Sequence, residues 1–234
     1  MAAKPSYRRY LAGLTTIFAV FWIALAIKPL YRSDWLLENM LVFLFILIAI
    51  VSHRRFVFSR VSMTLIFLFL CLHTVGAHYT YSEVPVDRWC AYLTGHTLRE
   101  LTGWQRNHFD RFVHLCYGLM LTCPIREVFL RVANVRGFWS YFLPWDVTLS
   151  TSMIYELIEW AAAEIFGGEL GMAYLGTQGD IWDSHKDMAM AALGATIAVA
   201  IMVVVNLLTQ RDFAREWAES LKVKQVEPSD GNGF

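Results

Sequence analysis

Six apolar segments constrain this chain more than any other feature, because each approaches the length at which a helix crosses a membrane. A spanning helix needs about 20 mostly apolar residues. Four segments are clear, at about 10–27, 35–51, 61–77 and 188–208, and two carry charge, at about 110–130 and 144–166. The sequence therefore predicts an all-α, polytopic membrane helix bundle with about six transmembrane helices.

The composition supports this fold class. Of the 234 residues, 56% are hydrophobic and 17% are charged, whereas about a quarter of the residues in a soluble domain are charged. Lys plus Arg and Asp plus Glu number 20 each, so no basic excess points to a nucleic acid partner. No phosphate-loop, haem or flavin motif is present. We expect the lipid bilayer to be the main partner, with a lipid-linked or small-molecule substrate.

Two units are predicted along the chain. Residues 1–209 form a single integral membrane domain, and residues 210–234 form a cytoplasmic tail. In the tail, Phe213, Trp217 and Leu221 recur every four residues among charged residues, which is typical of a short amphipathic helix on the membrane surface. A solvated helix end is the alternative. The last seven residues are predicted to be disordered.

The Lys and Arg residues predict the orientation of the bundle, because they concentrate in cytoplasmic connections. Thirteen of the 20 fall on the side of the termini: Lys4, Arg8, Arg9, Arg54, Arg55, Arg60, Arg126, Arg131, Arg136, Arg211, Arg215, Lys222 and Lys224. The other seven are Lys28, Arg32, Arg88, Arg99, Arg106, Arg111 and Lys186. The first apolar segment is long enough to be an uncleaved anchor. We expect a multi-pass protein with both termini in the cytoplasm.

Polar residues within the spans map to one leaflet, the outer half of the bundle. They form three sets that share a helix face: Asp110 with His114, Glu156 with Glu159, and Asp180 with Asp183 and Asp187. The fifth span is predicted to begin at Pro144, as a first-turn proline. Because charged groups inside a membrane are costly, each of these sets calls for a physical reason.

Buried carboxylates and imidazoles are stable in lipid when they are protonated, paired, hydrogen-bonded or bound to a cation. Oxygen and imidazole ligands from several helices suit a divalent metal ion. The candidate metal ligands are His78, His108, Asp110, His114, Asp180, Asp183 and Asp187. The candidate catalytic residues are Glu156 and Glu159, as proton-transfer groups, and Arg106 and Arg111, as a clamp for an anionic head group.

Five motifs lie between about residues 73 and 200. They are His78-Tyr79-Thr80-Tyr81 with Val84-Pro85, Arg106 to Arg111 with His114 and Gly118, Arg126-Glu127, Tyr155-Glu156 with Glu159-Trp160, and Gly176 to Asp183 with Asp187-Met188. As a set they resemble the YjdF-type family of uncharacterised bacterial inner-membrane proteins. The resemblance implies an uncleaved, multi-span protein of the inner membrane. The order of the acidic residues and the histidine is also similar to that of the VanZ-like membrane proteins, which are associated with resistance to glycopeptide antibiotics.

Four functions remain open from the sequence. The first is metal-dependent hydrolysis or transfer on a lipid-linked or envelope substrate, in which the metal polarises a phosphoryl or acyl group. The second is proton-coupled transport, since protonatable residues near mid-membrane form relays, although the chain lacks an inverted repeat. The third is a non-catalytic scaffold in which Arg106, Arg111 and Lys186 pair with the carboxylates. The fourth is an assembly partner for another membrane protein.

Overall fold

The computed structural model describes residues 5–52, 56–166, 176–212, 214–216 and 219. These residues form helices and connecting loops, and no strand occurs among them. The helices are α1 (Pro5–Ala26), α2 (Arg32–Ser52), α3 (Arg60–Tyr79), α4 (Val86–Thr94), α5 (Leu98–Thr102), α6 (Phe109–Arg131), α7 (Trp139–Phe166) and α8 (Asp183–Thr209). The prediction of an all-α membrane bundle is confirmed.

In the described part of the chain, five helices are long and apolar enough to cross a membrane: α1, α2, α3, α6 and α8. Helix α7 differs because acidic side chains lower its hydropathy, although its 28 residues make about 42 Å of helix at 1.5 Å per residue. It nevertheless runs along the bundle, since Ser140 contacts the C-terminal part of α6 and Glu156 contacts the N-terminal part. The fifth predicted span is therefore a long helix with a less apolar composition.

Helix α6 is the centre of the bundle. It packs most extensively against α8 and also contacts α3 and α7, while α1 and α2 lie against α3. A Cβ atom on Gly118 would collide with the carbonyl oxygen of Ala191, and one on Gly194 would collide with that of Leu115. Small residues permit such close backbone contact between membrane helices. The crossing places the N-terminal parts of α6 and α8 side by side.

At the end of the bundle where α3 begins, a buried carboxylate joins α6 to the helix start. Ser59 is the N-cap of α3, and its hydroxyl accepts a hydrogen bond from the backbone N–H of Ser62. Glu127 of α6 accepts hydrogen bonds from the Ser59 backbone N–H at 2.8 Å and from the Ser62 hydroxyl at 2.6 Å. It also pairs with Arg131 at 2.9 Å. Glu127 is thus buried with its acceptors satisfied.

The prediction that Pro144 opens the fifth span is wrong, because α7 begins at Trp139 and Pro144 lies inside it. A proline within a helix leaves the carbonyl four residues earlier without its helical donor. Here that carbonyl belongs to Ser140, and it accepts a hydrogen bond from Nε of Arg126 at 3.1 Å. Arg126 also binds both carboxylate oxygens of Asp212, at 3.0 and 2.5 Å. The proline therefore helps to join α7, α6 and the segment that follows α8.

The prediction for the tail concerns residues that the structure does not describe. Phe213, Trp217 and Leu221, on which the amphipathic helix was based, lie outside the described residues. The last membrane helix ends at Thr209. The division into a membrane domain and a tail with a surface helix stays a prediction.

Candidate functional site

Two connections meet at the end of the bundle where α3 ends and where α6 and α8 begin, which we call the acidic end. The backbone N–H of Asn107 donates to Oε1 of Gln178 at 3.1 Å, and Nε2 of Gln178 donates to the Asn107 carbonyl at 3.0 Å. Nδ2 of Asn107 also donates to the carbonyls of Ser82 and Val84, after α3. These bonds fix the positions from which α6 and α8 start.

Two arginines before and within α6 bind the aspartates near the start of α8. Nη2 of Arg106 lies 2.5 Å from the carboxylate of Asp183. Nη2 of Arg111 lies 2.6 Å from Oδ2 of Asp180 and 3.2 Å from Oδ1 of Asp183. Nζ of Lys186 lies 2.6 Å from Oδ2 of Asp180. We call these five residues the ion-pair layer.

Asp180 lies outside the helix that was predicted to carry it. Helix α8 begins at Asp183, so the expected stripe of three aspartates on one helix is wrong for Asp180, which sits in the preceding turn. Its Oδ1 accepts a hydrogen bond from the Trp182 backbone N–H at 3.1 Å. Hydrogen bonds from Lys186, the Trp182 backbone and Arg111 hold the pKa of Asp180 well below its usual range. Asp180 is therefore an ionised, fully paired member of the ion-pair layer.

Next to this layer, three carboxylates from two helices converge. One oxygen each of Asp110, Asp183 and Asp187 lies within 4.8 Å of the other two, and we call these residues the carboxylate triad. Asp187 is only 2% exposed, and its Oδ1 accepts no hydrogen bond from the described residues. Nε of Arg111 lies 3.9 Å from that oxygen. The triad thus contains a buried acceptor that lacks a donor in the described part of the chain.

His114 extends the triad towards α7. Its Nε2 lies 3.7 Å from Oδ1 of Asp110 and 3.4 Å from Oε1 of Glu156. His114 and Glu156 are each 6% exposed. Oε1 of Glu156 has no hydrogen-bond donor among the described residues. One imidazole therefore faces two carboxylates, and a second buried acceptor is left without a donor beside the triad.

Sequence reasoning missed an acidic residue that α2 contributes to the same region. The hydroxyl of Tyr155 donates to Oε2 of Glu38 at 3.1 Å and also contacts the carboxyl group of Glu159. Glu159 in turn contacts Glu156, and both Glu38 and Glu159 are buried. The signal that could have found Glu38 is its charge inside an apolar span. The acidic region therefore draws on four helices rather than three.

Two predicted metal ligands lie apart from the triad. Nδ1 of His78 lies 2.7 Å from the carbonyl of Leu25, so His78 joins α3 to α1. Nδ1 of His108 lies 3.3 Å from Nη1 of Arg111. Burial and the guanidinium groups of Arg111 and Arg106 lower the pKa of His108.

The predicted residues that the structure does bring together are Asp110, His114, Glu156, Glu159, Asp183 and Asp187, with Arg106, Arg111 and Asp180 beside them.

All of these residues fall within the part of the chain that is similar to known proteins. The family described as predicted membrane protein DUF2238 matches residues 10–207. The inner membrane protein YjdF of Escherichia coli (strain K12) is 37% identical over 183 residues, which cover 78% of this chain and 83% of that protein. No solved structure matches the chain. The relative and the membrane-spanning helices support a multi-pass location in the inner membrane.

Proposed function

Because the chain belongs to the DUF2238 family of predicted membrane proteins, we propose that it is an inner-membrane protein whose acidic end binds a divalent cation. The bound cation serves hydrolysis or transfer on a lipid-linked or envelope substrate. The observation that carries the proposal is the carboxylate triad, whose oxygens lie within 4.8 Å of one another. One buried carboxylate oxygen of the triad, on Asp187, and one on the neighbouring Glu156 have no donor among the described residues.

The balance of charge favours a bound cation over fixed ion pairs alone. The ion-pair layer brings three basic side chains to two aspartates. Deeper in the bundle lie Asp110, Asp187, Glu156 and Glu159. Two basic side chains approach this group: His114, near Asp110 and Glu156, and Arg111, which already pairs within the layer and whose Nε lies 3.9 Å from Asp187. Leaving a buried charge uncompensated costs roughly 3–5 kcal/mol. A divalent cation would offset two of these negative charges.

The chemistry of the donor set fits a hard cation. Carboxylate oxygens are preferred ligands of magnesium, calcium and manganese, and Asp110, Asp183 and Asp187 would supply them. The imidazole of His114 adds a nitrogen ligand that suits zinc. When bound, such an ion polarises a phosphoryl or acyl oxygen. Arg106 then acts as a positioning residue, because it holds the Asp183 carboxylate at the triad.

Glu156 is the proton acceptor in this proposal. Its Oε1 lies 3.4 Å from the His114 ring, beside the triad, and a general base must stand within reach of the proton that it removes. Contacts from Glu156 to Glu159, and from Tyr155 to Glu159 and Glu38, provide further proton-carrying groups. In this proposal, Glu156 passes the proton to these neighbouring groups within the buried region.

The proposal places the acidic end on the outer side of the inner membrane and both termini in the cytoplasm. Its support is the uneven distribution of Lys and Arg between the two sets of connections. In this orientation, a substrate reaches the triad from the envelope side.

Thermal unfolding with and without cations tests the proposal, using Asp187→Asn and a matched control, Glu127→Gln. Both parent residues are buried acids in the same bundle, but Glu127 lies at the opposite end with its acceptors satisfied. The parent and both variants are purified in detergent, treated with chelator, and unfolded with added Mg²⁺, Mn²⁺, Ca²⁺ or Zn²⁺. Elemental analysis measures any metal that the parent retains.

At a hundredfold excess over Kd, a bound ligand stabilises the folded state by about 2.7 kcal/mol. We expect at least one cation to raise the unfolding temperature of the parent and of Glu127→Gln, and to leave that of Asp187→Asn unchanged. Glu127→Gln itself unfolds at a lower temperature because it loses bonds to the start of α3. If none of the cations stabilises the parent, or if Asp187→Asn responds like the parent, the cation site is refuted and the scaffold hypothesis is favoured.

A further inference from the structure

A cavity of about 350 Å³ opens at the acidic end, between the connection that follows α3, helix α5 and the connection that precedes α6. This volume lies within the range of small-molecule sites. Charged side chains of both signs line it, together with one aromatic ring: Glu83, Asp87, Arg99, Arg106 and Trp104. Because Arg106 also binds Asp183, the cavity lies next to the ion-pair layer.

The basic part of the lining suits a phosphate. Nη2 of Arg99 donates to the carbonyl of Gln105 at 3.3 Å, and a guanidinium has five N–H donors in all. Planar guanidinium groups bind phosphate oxygens in a two-bond geometry. Arg99 therefore retains donors that can face a phosphate in the cavity.

The acidic and aromatic part of the lining suits an amine. Oδ1 of Asp87 accepts the backbone N–H of Arg99 at 3.0 Å, and Glu83 is exposed. A tryptophan ring attracts ammonium groups through its face, and Trp104 is half-exposed at the cavity. A ligand that matches the whole lining carries both a phosphate and a protonated amine.

The helices around the cavity expose apolar side chains. Trp89, Tyr92 and Leu93 share one face of α4 and are 41%, 90% and 79% exposed, and Leu101 of α5 is also exposed. Aromatic and aliphatic residues on short amphipathic helices at the ends of membrane spans are typical of contact with the lipid interface. We therefore expect lipid head groups at the level of the cavity.

From this combination we propose that the cavity binds the zwitterionic head group of a phospholipid of the adjacent leaflet. The phosphate faces Arg99, because Arg106 is already bound to Asp183 and to the carbonyls of Thr177 and Gly176. The amine faces Glu83, Asp87 and Trp104. The inference names a substrate class for the proposed function and rests on that function only for the chemistry that follows binding. Binding itself requires no cation, so the two proposals are tested separately.

Titration of the full chain in detergent with short-chain lipids tests the inference, in buffer that contains chelator. The probes are dihexanoyl phosphatidylethanolamine, dihexanoyl phosphatidylglycerol and soluble glycerophosphoethanolamine. We expect the first to bind about tenfold more tightly than either of the others, which corresponds to about 1.4 kcal/mol. Glu83→Gln and Arg99→Gln each lower the affinity for the first probe. Arg88→Gln, at an exposed position of α4 that does not line the cavity, leaves it unchanged.

Each result decides one part of the inference. Equal affinity for the phosphatidylglycerol probe, or full affinity in Glu83→Gln, refutes a zwitterionic head group. Equal affinity for glycerophosphoethanolamine refutes a lipid as the source. Because Glu83 is exposed, Glu83→Gln provides the test even if Arg99→Gln fails to fold. Lipid binding that fails while cation stabilisation persists refutes this inference alone, and the reverse result refutes the proposed function alone.

Discussion

Gly118 of α6 lies directly against the backbone carbonyl of Ala191 of α8, with no space for a side chain between the two helices. The contact is reciprocal, because Gly194 of α8 lies in the same way against the carbonyl of Leu115. Two glycines therefore set the distance between the helices that carry the carboxylate triad. A change in that distance would separate Asp110 from Asp187.

We predict that Gly118→Ala destabilises the protein by about 1–3 kcal/mol, the usual range for overpacking. The added methyl group collides with backbone, which cannot rotate out of the way as a flexible side chain can. Gly13→Ala in α1 is the control, because a Cβ there meets nothing within 4 Å. Unfolding midpoints in detergent measure both effects, and equal midpoints for Gly118→Ala and the parent would contradict the prediction.

We predict that Arg126→Lys destabilises the protein almost as much as Arg126→Gln, for which a broken buried pair costs about 3–5 kcal/mol. The guanidinium group binds both oxygens of Asp212 and also the Ser140 carbonyl, and an ammonium group cannot reproduce this planar geometry. Arg215→Lys is the control, in an exposed pair with Glu219 that contributes about 0–1 kcal/mol. Unfolding of Arg126→Lys at the temperature of the parent would disprove the role of the planar group.

We predict that His108 makes the protein less stable as the pH falls. Burial, together with Arg111 and Arg106, lowers its pKa from the ordinary 6.5. The unfolded state therefore binds more protons than the folded state around pH 6, and stability rises with pH in that window. The difference in unfolding temperature between pH 7.5 and pH 5.5 should be smaller in His108→Gln than in the parent. An equal difference in both proteins would show that His108 does not contribute.

We predict that reporter fusions after residue 134 and after residue 95 lie on opposite sides of the membrane. Residue 134 follows α6, in a connection assigned to the cytoplasm by the Lys and Arg distribution, and residue 95 follows α4 at the acidic end. The fusion after residue 134 should have cytoplasmic reporter activity, and the fusion after residue 95 should have activity on the outer side. The reversed result would turn the acidic end towards the cytoplasm.

The helices could be predicted from sequence because membrane spans require long apolar segments, whatever their tertiary contacts. The start of α7 was misplaced for a local reason. Pro144 is favourable in a first helical turn, and nothing nearby in the sequence shows that Arg126 compensates for a proline deeper in the helix. That compensation joins two helices and becomes visible only in the folded bundle.

The candidate site was predicted in part. Contacts within one helix could be predicted from residue spacing, whereas contacts between distant parts of the chain could not. Helical spacing placed Asp110 and His114 on one face, and in the structure Nε2 of His114 lies 3.7 Å from Oδ1 of Asp110. The scaffold hypothesis expected Arg106 to pair with a carboxylate, but spacing within a helix could not show that its partner is Asp183, 77 residues later. It also could not show that Tyr155 brings Glu38 of α2 to the acidic region.

The polar character of α7 also bears on how the chain is built into the membrane. Synthesis produces α6 and α7 before α8, so Arg111 and Glu156 leave the ribosome before Asp183 and Asp187 do. Until α8 arrives, Arg111 lacks the carboxylates that it binds in the finished bundle. Insertion of the three helices one at a time would thus strand charge in lipid. We therefore expect α8 to join α6 and α7 before those two helices are released into lipid, so that Arg111 and Glu156 meet Asp183 and Asp187 in a polar environment.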